Sequence, residues 1–335
     1  MAKIKIVSSM IFDAICFFEH LSVDYGAALP EQKAFREKIE KLTADRLKGD
    51  FLSMSWLCAR ISSYVCDRNS EPENYTLDDL AEFFRNPENI RDEGIVGSMY
   101  ENAIYKEQSF EEWAEKYTNY INILKEIGFD KLWESDLQPI IQEDIKKRQK
   151  ICENLDMDGA FADIQKLKQC EPLENIKIYI SVMNYPVAFK LHGNSFSDMV
   201  NGTMGISIVH ELMHGFTNKE LESLYLDYVK SDKSLTELHD ILINGMRSGN
   251  EEEFVLASDA YLRMRHNGED RKELLKQMRK NYNGCVPTSV FLFDLLAKEP
   301  DVPNGYAQWL TDVFKNKKLP QESIDKHLDN ISPMN

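Results

Sequence analysis

No stretch of eighteen consecutive apolar residues occurs in this chain, so nothing in it reads as a transmembrane span. None of its six cysteines (Cys16, Cys58, Cys66, Cys152, Cys170, Cys285) forms a CxxC pair, and they read as small core residues in a reducing compartment. Repeats of fixed period are absent as well. Basic residues are in short supply, 40 against 56 acidic ones, for a formal charge of -16. Such a surface repels nucleic-acid phosphates and anionic lipid, so neither nucleic acid nor membrane is an expected partner. Peptides of neutral or basic character remain open to it. The basic start Met-Ala-Lys-Ile-Lys-Ile-Val has no small-residue cleavage site behind it, and Asp13 interrupts the apolar stretch that follows. Ile11, Ile15 and Phe18 instead mark a core helix. The expectation is a cytoplasmic protein.

What is present is an ordinary globular composition, 43% hydrophobic and 29% charged, over 335 residues, enough for two domains or one large one. From residue 8 to about 170 the pattern is helix after helix. Pro30 opens one, with Phe35, Ile39 and Leu42 on one face and Gly49 after its end. Phe51 to Cys66 has helical spacing, and Thr76 with Asp79 makes a capping box for Leu77 to Phe84. Phe110 to Ile127 is stopped by Gly128. Leu137 to Leu155 is a long charged helix with Ile140, Ile141, Ile145 and Ile151 as its apolar face.

The period changes near Glu171-Pro172. Ile176 to Met183 alternates and is rich in β-branched residues, as a strand should be. Asn184-Tyr-Pro186 reads as a turn and Val187 to Leu191 as the returning strand. Helical patterning resumes at Gly205-Ile206, and Ser234 with Glu237 suggests a capping box for a helix through Ile243. Another helix runs from about Asn250 to Arg265. The tail from Arg271 is mostly helical, broken between Pro300 and Gly305. The expected fold is therefore α+β and mostly helical: a helical domain over residues 1–170 and a second domain with a small β-sheet over 171–335.

Chemistry concentrates in His210-Glu211-Leu212-Met213-His214, an HExxH motif. Residues four apart on a helix lie one above the other, so both imidazoles can reach one metal ion. Glu211 sits beside them, placed to take a proton from the attacking water. Ile206, Val209, Leu212, Met213 and Phe216 surround the histidines with apolar side chains, so the helix should be buried. Burying two imidazoles and a carboxylate without a partner is costly, and Zn²⁺ would supply that partner.

A third protein ligand is needed. The metzincin continuation HExxHxxGxxH fails, because Gly215 follows His214 directly and position 220 is Glu. Three glutamates open a later helix. Glu253 shares its face with Leu256, Ala257, Ala260 and Met264, and is the first choice for zinc ligand on helical phase. Glu252, in phase with Val255, Leu256, Asp259 and Arg263, is the second, and Glu251 ranks last. Acidic residues in a first helical turn also complement the helix dipole, which accounts for those that do not bind metal. For an oxyanion stabiliser the candidates are Tyr261, His266, Tyr282 and His192. His239 and, should Glu252 be the ligand, Asp259 are candidates to orient the site.

With these residues in view, Ile206-Ser-Ile-Val-His-Glu-Leu-Met-His-Gly-Phe-Thr-Asn218 followed by Glu253-Phe-Val-Leu-Ala resembles the gluzincins, zinc peptidases that pair an HExxH helix with a downstream glutamate, and most of all an uncharacterised bacterial branch of them. The resemblance covers about residues 176 to 265. It implies a zincin-like fold for the second half, His210 and His214 as zinc ligands, Glu211 as general base, and hydrolysis of peptide bonds in a peptide or protein substrate. It also implies that the strand near Asn194-Ser-Phe196 binds extended peptide by β-addition. A spacing of 39 residues from His214 to Glu253 is longer than in the best-known members. The competing expectation is a helical binding or regulatory protein whose zinc site is structural or idle.

Overall fold

A computed structural model describes residues 3–22, 29–44, 46–47, 54–91, 109–184, 188–201, 204–245, 248–299, 302 and 304–332. The fold is α+β and mostly helical, with one small mixed sheet. Among the described residues no helix is long and apolar enough to cross a membrane. The chain divides into two compact units that interleave along the sequence. One comprises residues 3–151 and 175–204; the other comprises residues 152–174 and 205–335, with residues 1 and 2. Where the sequence suggested one boundary after residue 170, the structure returns the sheet segment to the first unit and gives the second a helix from before it.

The first unit opens with strand β1 (Ile4–Ser8), a segment with no strand signal in its basic, signal-like start. Helices α1 (Met10–Ser22), α2 (Pro30–Thr43), α3 (Met54–Cys66), α4 (Leu77–Arg85), α5 (Phe110–Glu126) and α6 (Gln138–Asn154) follow. Ile11, Ile15 and Phe18 of α1 are buried as their spacing requires. Thr76 and Asp79 form the expected capping box of α4. Two apolar faces come out differently. Leu42 and Ile151 are exposed, and the buried side of α6 consists of Ile141, Asp144, Ile145 and Arg148. Periodicity counts apolar residues and cannot see an ion pair replacing them. Gly49, Phe51 and the turn residues 185–187 lie outside the described residues.

Strands β2 (Ile176–Ser181), β3 (Phe189–Lys190) and β4 (Ser195–Met199) complete the sheet in the order β1-β2-β4-β3. The hairpin expected between residues 176–183 and 187–191 does not form. β2 runs parallel to both β1 and β4, and the short β3 pairs antiparallel with β4 instead. Ile176, Ile178, Tyr179 and Ile180 are all buried, as for a central parallel strand covered on both faces. β4 is internal: Phe196 and Ser197 pair with Lys190 and Phe189 on one side and with β2 on the other. Its backbone is thus already committed where β-addition of a peptide was expected.

The second unit is helical: α7 (Met157–Lys168), α8 (Met204–Met213, entering from residue 204), α9 (Lys219–Val229), α10 (Lys233–Asp240), α11 (Glu252–His266), α12 (Arg271–Lys280), α13 (Pro287–Leu296), α14 (Tyr306–Lys315) and α15 (Ile324–Ile331). Asp232, rather than Ser234, caps α10, accepting from the N–H groups of Ser234 and Leu235. α11 is the centre of this unit: every residue from Glu252 to Leu262 is buried. That explains why phase did not separate its glutamates. A helix enclosed on all sides has no solvent face to place one there.

Candidate metal centre

α8 carries His210 and Glu211, and His214 lies one residue past its end. The helix stops because Gly215 adopts a left-handed backbone (φ +83°), which only glycine takes without strain. His214 keeps one helical tie, its N–H reaching the Glu211 carbonyl at 3.3 Å. The imidazole Nε2 atoms of His210 and His214 stand 3.3 Å apart. One potential ligand atom each from His210, Glu211 and His214 lies within 4.8 Å of the others. Val209, Leu212 and Met213 are buried around them, whereas the side chain of Ile206 lies outside the described residues.

The three consecutive glutamates have three different partners. Glu252 meets the histidines, with Oε1 3.5 Å from His210 Nε2 and Oε2 3.8 Å from His214 Nε2. Glu251 stands behind His214. Its carboxylate is 3.2 Å from the ring Nδ1 and accepts from the backbone N–H groups of Gly215, Phe216 and Thr217. Glu253, the first choice on helical phase, is engaged elsewhere: it accepts from the Tyr225 hydroxyl at 2.8 Å and from Ser289 N–H at 2.9 Å, in the first turn of α13. Consecutive helical residues are about 100° apart, so three in a row must face three neighbours.

The electrostatics follow this division. Burial pushes Glu253 up to about 7, only partly offset by its hydrogen bonds. Burial also presses upward on Glu251, but the His214 ring and the N–H groups of Gly215 and Phe216 outweigh it and hold that carboxyl down at about 2. Burial lowers His210 to about 4, so its ring is neutral. Burial works against a charged His214 too, yet its hydrogen bond to Glu251 and the nearby Glu211 and Glu252 carboxylates raise it.

This donor set fits zinc. Two nitrogen ligands about 2.0–2.1 Å from a tetrahedral ion stand about 3.3–3.4 Å apart, the separation of the two Nε2 atoms. The Glu252 oxygens are within a few tenths of an ångström of the same spacing. His214 giving its Nδ1–H to Glu251 leaves Nε2 with a lone pair, the tautomer a ligand needs. Two imidazoles and one carboxylate leave a fourth position free.

Tyr261 accepts from Arg265, His266 bridges Asp156 and Asp163 of α7, and His239 contacts Asn250. His192 is exposed in the first unit, and the side chain of Tyr282 lies outside the described residues. Asp259 is buried near Arg263, not against a histidine. Glu251, ranked last from sequence, is the orienting group. Its only signal there was adjacency to Glu252. A pocket of about 780 Å³ opens beyond Gly215 and Phe216, and the histidines and Glu252 are not among its walls.

No protein-family model, curated protein or solved structure matches this chain.

Proposed function

We propose that this protein is a zinc-dependent metallopeptidase with His210, His214 and Glu252 as the metal ligands and Glu211 as general base. The observation that carries this reading is the convergence of both Nε2 atoms and the Glu252 carboxylate on one point, with Glu211 beside it. Bound zinc would lower the pKa of water towards neutrality and polarise the scissile carbonyl. Glu211 accepts the proton of the attacking water and passes it to the leaving amine. Glu251 fixes the His214 ring, and burial keeps His210 neutral. The partner is a peptide or protein substrate of neutral or basic character, consistent with the chain's net charge of -16. The cytoplasm is the proposed compartment, where the buried Cys16, Cys58 and Cys285 stay reduced.

Purified protein should hold one zinc per chain and cleave members of a mixed peptide library. Glu211→Gln should keep the zinc and lose turnover by about 10²–10⁴-fold. Zinc retained with turnover unaffected by Glu211→Gln, or with no turnover in either protein, would favour an idle or structural site.

A further inference from the structure

The i, i+4 geometry of an HExxH motif presumes a continuous helix, and here the helix ends at Met213, one residue short of the second histidine. Something other than the helix must hold His214. Its ring is fixed by Glu251 from one side. Its backbone is held by a residue from far upstream: the Lys168 ammonium donates to the Leu212 carbonyl at 2.7 Å and also to the His214 carbonyl.

These are carbonyls of the helix terminus, which lack intrahelical partners and carry the negative end of the dipole. A lysine with three N–H donors answers both needs together. The lysine is itself firmly mounted. It is the last residue of α7, and α7 is tied to α11 through His266, whose two ring nitrogens each lie 2.9 Å from a carboxylate, Asp156 and Asp163. Arg265 adds a contact to Asp163 at 3.0 Å. The helix that supplies Glu252 and the lysine that grips the His214 backbone therefore belong to one tied pair.

We infer that Lys168 is a positioning residue of the metal centre, setting His214 Nε2 at ligand distance from its partners by clamping the frayed end of α8. This rests on the reading of His210, His214 and Glu252 as zinc ligands. It predicts that removing the ammonium loosens one ligand of three without touching any of them, and that a cation of another shape restores the site.

The test is metal affinity in the full chain, measured by competition with a chromophoric chelator for Zn²⁺, together with the visible spectrum of the Co²⁺-loaded protein. Lys168→Met keeps the aliphatic shaft and should weaken Zn²⁺ affinity by about 10–100-fold and alter the Co²⁺ bands. Lys168→Arg should recover affinity to within a few-fold, with the wild-type spectrum. Wild-type affinity and spectrum in Lys168→Met would overturn the inference while leaving the zinc site intact. Failure of the wild type to bind either ion would instead remove the functional reading and this inference with it. Should Lys168→Met not fold, Lys168→Gln, retaining a donor, should show a smaller loss, and an unchanged affinity there counts against the clamp.

Discussion

Each unit of this protein gathers a cluster of ionisable side chains, and the two clusters are built differently. In the first unit Arg148 of α6 is 1% exposed and lies between Asp144 and Asp198. All four carboxylate oxygens there have a donor: Arg148 serves one on each side, and the N–H groups of Asn201 and Met199 serve the others. Arg148 also donates to the Met199 carbonyl at 2.6 Å. In the second unit two imidazole nitrogens and a carboxylate turn towards a common point with no cationic side chain between them. A cluster that satisfies itself serves the fold. One whose nitrogen and carboxylate ligand atoms converge is suited to a cation from outside.

The sharpest way to break this contrast is at the convergent cluster. Glu252→Ala should abolish stoichiometric zinc binding at micromolar metal, because it removes the one carboxylate that faces both imidazoles. Glu253→Ala should do the reverse, keeping the zinc and lowering the melting temperature, because it strips Tyr225 and Ser289 of their acceptor. Equal zinc loss in both would erase the division of roles among the glutamates.

At the balanced cluster Arg148→Met should cost about 3–5 kcal/mol in chemical denaturation, because two carboxylates stay buried without their cation. A change below about 1 kcal/mol would mean that the pair is not confined as described. Another buried acid of the first unit is served as fully: Asp13 accepts from Trp133, Ser181 and Met183 N–H.

A smaller effect sharpens the comparison within the second unit. Asp259 is buried, with Oδ1 lacking a hydrogen-bond partner and Arg263 no nearer than 3.7 Å. Burial lifts its pKa from 3.8 to about 7. An acid raised on folding favours the folded state while protonated, so this contribution is lost as pH rises from about 4 to about 7 and is constant above. Asp259→Asn should remove that loss, leaving the metal-free variant more stable than wild type at pH 8, but not at pH 4, by on the order of 2–4 kcal/mol. Identical pH profiles for the two proteins would show that the carboxylate finds a partner.

Legibility in the sequence tracked how local each cause is. Capping at Thr76 and the α1 core face depend on neighbours within a turn, and both were read from spacing; the stop at Gly215 is as local but was not read. The hairpin expected after Met183 failed because pairing partners are chosen across the chain: β2 prefers β1, some 170 residues upstream, and β4. Leu42 and Ile151 were misplaced because helical phase shows which residues share a face and not which face is covered.

The motif by itself determined which residues could meet: His210 and His214 four apart with Glu211 next to the first, a spacing that one helical turn brings together. It could not choose among Glu251, Glu252 and Glu253, because adjacent side chains diverge by about 100° and only the surrounding helices decide what each one meets. Nor could it reveal Lys168, 46 residues before His214, whose role exists only because α8 frays at the point where the packing of α7 delivers a positive charge.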